Sequence, residues 1–115
     1  FSSCDDTITI HDLDNRVIPE QNVKFGEHLL PVFDMKCNSS GCHNDKDRAG
    51  SLAFTSWTNT VVPGIVNPGD TLTSRMIWSI TGASVRPMPP LGFPPLTINQ
   101  IQGIRTWIKE GAKNN

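Results

Sequence analysis

Three residues between positions 37 and 43 have side chains that can form covalent and coordinate bonds: Cys37, Cys42 and His43. Two thiols followed at once by an imidazole are what covalent haem attachment requires, since each sulfur adds to a porphyrin vinyl group and the histidine ligates the iron. The usual signature has two residues between the cysteines, whereas this chain has four. Gly41 has unrestricted backbone dihedrals, which would let the longer spacer bring both sulfurs to one porphyrin edge.

Two other sites are compatible with the same residues. Cys37 and Cys42 could close a small disulfide loop. A structural zinc site is the second alternative, with the fourth ligand drawn from His11, His28 or Cys4.

A proline-rich segment, residues 85–95, contains the other candidate ligand. Its five prolines fix φ repeatedly and make it stiff without helical hydrogen bonds. Such a segment can hold the thioether of Met88 against an iron atom with little entropy lost on ligation. The alternative is a proline-rich recognition segment or linker.

Composition limits the class of protein. The length of 115 residues suits one domain with a modest core. Only 37% of the residues are hydrophobic, so a buried haem would add apolar volume to a small core. A net charge of −1 argues against a nucleic-acid-binding protein, and no apolar run approaches the length of a membrane span.

The first 22 residues are polar and acidic, and we expect them to form an extended N-terminal arm or a linker. Residues 1–4 resemble the end of a bacterial lipoprotein signal, in which small residues precede the cysteine that is acylated, here Cys4. An ordinary thiol near the terminus is the alternative. Residues 7–10 alternate polar and apolar side chains but have no partner strand, so an arm lying over the domain is expected there.

Three helices are predicted around these segments. The first is capped by Asn22, runs to Met35, is divided by Pro31, and delivers Cys37. The second is capped by Asp70 or Thr71 and stopped by Gly82, with an apolar stripe in which methionine serves as core packing: Leu72, Met76, Ile77 and Ile80.

The last helix has the strongest start and stop signals. Thr97 and Gln100 form a capping box, and Gly111 ends the helix. Ile101, Ile104 and Ile108 lie along one face of this helix, with Trp107 beside them. Residues 44–69 are expected to be loop-rich, with turns at two Pro-Gly pairs and three inward anchors: Leu52, Phe54 and Trp57.

In this order, the motifs resemble those of class I c-type cytochromes, above all the small monohaem bacterial domains with a widened C-x4-C-H attachment site. The resemblance covers residues 23–112 and rests on four motifs. They are Phe25 with Pro31-Val32-Phe33, the 40–44 segment, Met88-Pro89-Pro90, and the run from Leu96-Thr97 to Ala112.

The resemblance implies a fold and a set of site residues. The fold is all-α, with three main helices and loops around one haem in a domain at residues 23–115, the first and last helices crossing. Cys37 and Cys42 would form thioether links, His43 would be the proximal ligand and Met88 the distal one. Trp107 would pack toward the haem. Candidates for contacts with the haem propionates are Arg48, Arg75, Arg86, Trp57 and Trp78.

Two neutral axial ligands leave no open position for oxygen or peroxide chemistry, so we expect an electron carrier and not an enzyme. Its partners would be redox proteins, and covalent haem attachment implies a periplasmic or cell-surface location, with a lipid on Cys4 as anchor. Three alternatives stay open: a sensor haem with His11 or His28 as distal ligand, a haem subunit of a larger membrane redox complex, and a zinc- or disulfide-stapled extracellular binding module.

Overall fold

The described part of the chain is built from helices and loops. The computed structural model describes residues 9–38, 52–83, 88–90 and 92–115. Within these ranges there is no strand, and the elements in order are α1 Ile10–Asn15, a π-helical turn Phe25–Leu29, α2 Leu30–Lys36, α3 Trp57–Thr60, α4 Arg75–Thr81 and α5 Ile98–Lys109. The all-α class predicted from the sequence is confirmed at this coarse level.

Pro31 divides the first core helix, as predicted. Proline has no N–H to donate to the carbonyl four residues back, and its ring would clash with that carbonyl in a continuous α-helix. The chain instead makes a wider π-helical turn over Phe25–Leu29 and resumes as α2 with Pro31 in the first turn. The second part then ends directly before Cys37.

The prediction that Asn22 caps this helix is wrong. Asn22 lies before the turn with a φ of 57°, and the capping position belongs to Lys24, whose side chain makes no capping bond. The side chain of Glu110 accepts the N–H groups of Asn22 and Val23, at 2.7 and 3.0 Å. Asn115 accepts the Phe25 N–H through Oδ1 at 2.8 Å. Distant residues thus satisfy the donors at this helix start.

Helix α5 begins with the predicted capping box, since Thr97 Oγ1 accepts the Gln100 N–H while Gln100 Oε1 accepts the Thr97 N–H. It ends at Lys109, and Gly111 follows with a φ of 109°. Its inward face supplies three side chains with no solvent exposure: Ile104, Trp107 and Ile108. Trp107 packs against Phe25, with ring centroids 5.4 Å apart, so the π-helical turn and the last helix share one core.

The N-terminal region is not extended where it is described. Thr9 and Asp12 form a capping box that starts α1, and Leu13 is 3% exposed. Ile18, which follows α1, is also in the core, and its backbone N–H and C=O are both bonded to the side-chain amide of Asn99 on α5. The expectation of an extended arm is therefore wrong for Ile10–Asn15, because the capping box starts a helix there and Leu13 anchors it in the core. The boundary proposed after residue 22 stays a prediction.

Helix α4 begins later than predicted. Its capping position is Ser74, and Asp70 Oδ1 instead accepts the N–H groups of Leu72 and Thr73 in the preceding turn. Leu72 consequently lies outside the helix and is 82% exposed, which corrects its place in the apolar stripe. Met76 is buried in the core, and Gly82 ends the helix with a φ of 83°, both as predicted.

The segment from residue 52 to residue 70 packs as expected. Phe54 is buried against Phe33, with ring centroids 5.8 Å apart, while Leu52 and Trp57 are partly buried at the edge of the core. The two predicted turns are present, with positive φ at Gly64 and Gly69. The sequence did not indicate α3, a single turn started by the Ser56 side chain.

One glycine is required by close packing. A Cβ atom at Gly103 on α5 would lie 2.7 Å from Cγ2 and 3.0 Å from Cδ1 of Ile18. Helix α5 and the segment after α1 approach each other this closely only because residue 103 has no side chain.

We expect Gly103→Ala to lower the free energy of unfolding by about 1–3 kcal/mol through overpacking, although alanine is about 1 kcal/mol better than glycine inside an exposed helix. Thermal or denaturant unfolding measures the change. In an Ile18→Ala background, which lacks both clashing atoms, Gly103→Ala should cost less stability than it does in the unaltered protein. Strictly additive effects of the two substitutions would contradict the proposed contact.

Candidate functional site

Cys37 lies at the end of α2 and packs against the core. The Cys37 and Asn38 N–H groups both donate to the carbonyl oxygen of Phe33, at 2.8 Å each, which closes the helix. The thiol is half-buried and belongs to the partly buried rim of the core. The candidate attachment residue is therefore held by a helix end and not by an unanchored loop.

Asn38 joins the two ends of the segment that contains the rest of the motif. Its Oδ1 accepts the Phe54 N–H at 3.0 Å and its Nδ2 donates to the Phe54 carbonyl at 2.9 Å. The second proton of the amide donates to Asp34 on α2 at 3.1 Å. Asn38 and Phe54, on either side of this segment, are thus adjacent in space. The sequence did not indicate that Asn38 holds them together.

Several predicted site residues lie outside the described part of the chain. These are Cys42, His43, Arg48, Arg86 and Cys4. Their roles stay predictions.

Met88 is half-buried, and its backbone is fixed to α4. The Met88 N–H donates to the carbonyl oxygen of Ser79 at 2.8 Å. Further along the same segment, the Phe93 N–H closes a turn onto Pro90, and Phe93 itself is 52% exposed. The candidate thioether ligand therefore has a defined backbone position beside the last turn of α4.

The tryptophans use their indole N–H groups for backbone carbonyls. Trp57 donates to Ala112 at 2.7 Å, Trp78 to Leu72 at 2.8 Å and Trp107 to Lys113 at 2.9 Å. In this arrangement the indole donors of Trp57 and Trp78, predicted for haem propionates, are already engaged. Among the described candidates for that role, Arg75 is exposed at the start of α4.

The neighbourhood of Cys37 contains a buried cation that the sequence did not single out. Lys36 is the last residue of α2, and its side chain has no exposed surface. Its Nζ donates to Asp14 Oδ1 at 2.6 Å, to the Pro95 carbonyl at 2.7 Å and to Gln100 Oε1 at 2.8 Å. We call these four residues the lysine node. It joins α1, α2, α5 and the end of the segment that follows Met88.

Both ring nitrogens of His28 have partners within the π-helical turn. Nδ1 accepts the Lys24 N–H at 2.8 Å, so the ring proton is on Nε2, which lies 3.3 Å from Glu27 Oε2. His11 Nε2 is 3.1 Å from the Asn15 amide. An iron bond from His28 would require the loss of its contact with either Lys24 or Glu27.

A cavity of about 270 Å³ lies between the π-helical turn, α2, α5 and the segment after α1. Its lining includes Leu13, Val17, His28 and Gln100 but neither Cys37 nor Met88. Of the four residues predicted to hold a haem, the structure describes only Cys37 and Met88, and neither lines this cavity.

No protein-family model, curated protein or solved structure matches the chain. Among the residues that the structure describes, no group of three or more His, Cys, Asp or Glu side chains could hold a metal ion. In the same part of the chain, no helix is long and apolar enough to cross a membrane.

The acid dependence of stability should report on the lysine node. Partial burial raises the pKa of Asp14, but hydrogen bonds from Lys36 and Gln100 lower it more, so the net pKa lies below the ordinary 3.8. A depressed folded-state pKa contributes stability that is present above pH 3.8 and is lost as the pH falls through the folded-state value.

We therefore expect Asp14→Asn to be less stable than the unaltered protein at neutral pH and to lose less stability between about pH 5 and pH 2. Denaturant unfolding at a series of pH values measures both slopes. Asp34→Asn, an exposed residue of α2, is the matched control. Parallel stability curves for Asp14→Asn and the unaltered protein would show that Asp14 does not make this contribution.

Proposed function

We propose that this chain transfers single electrons through one covalently attached haem c, linked to Cys37 and Cys42 and ligated by His43 and Met88. One observation carries the proposal: a thiol and a thioether are both half-buried, and each is fixed by a helix end. Cys37 closes α2, and Met88 is bonded to α4. The ordered motifs at 37–43 and 88–90 supply the remaining support.

The residues present suit a flat, apolar cofactor. Partly buried apolar side chains at the edge of the core come from the same segments as the candidate ligands. Leu52 and Trp57 follow the 37–43 motif, Ile80 is next to Ser79 on α4, and Leu96 follows the proline-rich segment. Such a rim would exclude water from one side of a porphyrin while leaving an edge accessible for electron transfer.

A haem with two neutral axial ligands exchanges one electron and offers no vacant position to oxygen or peroxide. In this proposal the Met88 thioether, a soft and neutral donor, favours ferrous iron and raises the reduction potential. The apolar rim acts in the same direction by disfavouring the more highly charged ferric state. The chain is accordingly proposed as an electron carrier and not as an enzyme.

The proposed partners are redox proteins, whose weak encounters bury small surfaces. Two exposed aromatic side chains support docking beside Met88. Phe93, five positions further along the chain, is 52% exposed, and Trp78, next to the residue that bonds Met88, is 42% exposed. The proposed location is the periplasm or the cell surface, with attachment to a membrane through a lipid on Cys4. A place as one subunit of a larger redox complex is compatible with the same surface.

The optical spectrum of the protein, made in a host with a haem-attachment system, tests the proposal. Sharp low-spin bands on reduction and a weak far-red sulfur-to-iron band on oxidation are expected. A colourless product would refute the haem and favour a zinc- or disulfide-stapled module. Low-spin bands without the far-red band would move the distal role to a histidine.

Met88→Leu removes the thioether at nearly constant volume, so we expect loss of the far-red band and a lower potential with the fold retained. Met76→Leu, in the core, and Met35→Leu, at its edge, are the matched controls and should keep the band. Retention of the band in Met88→Leu would contradict the ligand assignment.

A further inference from the structure

We propose that Lys36 is a positioning residue for Met88: its buried ammonium holds the far end of the Met88 segment at Pro95 and ties it to α1 and α5. The inference rests on the proposed function, because it concerns the geometry of the Met88 ligand. It adds a residue that neither the sequence motifs nor the resemblance assigned.

The ammonium of Lys36 is fully satisfied. It has three protons, and its three acceptors are Asp14 Oδ1, the Pro95 carbonyl and Gln100 Oε1, all within 2.8 Å. Gln100 is held in turn, since its Nε2 donates to Asp14 Oδ1 at 2.9 Å and its Oε1 accepts the Thr97 N–H. A charge with no exposed surface is stable only with such complete pairing.

The segment that holds the candidate ligand runs from Met88 to Pro95. The lysine node fixes its Pro95 end, and α4 fixes its Met88 end. The Met88 N–H is bonded to Ser79, and the Pro95 carbonyl is bonded to Lys36. Prolines at 89, 90, 94 and 95 restrict the backbone between these anchors. A segment that is stiff and held at both ends transmits a displacement at Pro95 to Met88 more readily than a flexible one would.

Lys36 also precedes Cys37 directly, so the same helix end holds the candidate attachment residue. The lysine node therefore links the thiol side of the proposed haem site to the thioether side through a single side chain. Replacing the whole ion pair with apolar residues of similar volume would usually be neutral or stabilising, whereas losing Lys36 alone would leave three acceptors without their donor. The charge thus specifies a position, that of the Pro95 carbonyl beside the end of α2, besides any stability that it adds.

The test compares two variants of the haem-loaded protein. Lys36→Met keeps most of the aliphatic stem and removes the three donors. The matched control is Leu13→Ala, at a core residue on the same helix as Asp14, which lowers stability without removing a bond to Pro95. Three quantities are measured at neutral pH: the far-red band, the reduction potential, and amide hydrogen exchange of the peptide covering residues 88–97.

For Lys36→Met we expect exchange in residues 88–97 to become at least tenfold faster, the far-red band to weaken, and the potential to fall. For Leu13→Ala we expect the band and the potential to stay as in the unaltered protein, although its midpoint of unfolding falls. An unchanged band and unchanged exchange in Lys36→Met overturn the inference. Equal losses in both variants overturn it as well, because general instability then explains them.

If Lys36→Met does not accumulate as folded protein, Asp14→Asn replaces it, since it weakens the node and leaves the lysine in place. Faster exchange in residues 88–97 supports the inference, and unchanged exchange overturns it. Absence of haem bands in the unaltered protein would overturn the proposed function and this inference together. Haem bands in the unaltered protein with no effect of the Lys36 and Asp14 substitutions would overturn this inference alone.

Discussion

The packing of Phe25 against Trp107 is the contact on which the rest of the fold depends. It joins the π-helical turn to the last helix, which are 82 positions apart in the chain, and both side chains are almost fully buried. Phe33 and then Phe54 continue the aromatic series from Phe25, which brings the segment after the candidate haem motif onto the same core. The same pairing of elements places Glu110 and Asn115 beside the backbone donors at the start of the turn.

Local signals explain why part of the fold was predictable. The capping box at Thr97, the break at Pro31 and the stop at Gly82 each act within a few residues, so the sequence contains all the information needed. The start of α4 was misplaced because several polar residues compete for the capping position, and hydrogen bonds to Asn67 and Asp70 place Ser74 there. Helix α1 was not predicted, because residues 7–10 alternate polar and apolar side chains while the capping box of Thr9 and Asp12 starts a helix at Ile10.

The chemical groups of the candidate site were predictable from the sequence, but the residues that hold them in place were not. Thiol, imidazole and thioether are recognisable by residue type and spacing. Asn38 and Lys36 act through partners 16 to 64 positions away, and nothing in the sequence near them indicates those partners. The engagement of the Trp57 and Trp78 indoles with backbone carbonyls likewise depends on tertiary structure.

Asparagine side chains pair with backbone amides at two separate places, Asn38 with Phe54 and Asn99 with Ile18. At the first place, the Asn38 side chain holds Phe54 beside it. The packing of the helices therefore does not depend on how many residues lie between the two. Closing a loop costs only about 0.6 kcal/mol more for each doubling of its length. Insertions or deletions between the two candidate cysteines would then alter the spacing of the attachment motif while leaving the core nearly untouched. The junction of Asn38 and Phe54 would accept a change in the number of residues between them at little energetic cost to the packed helices.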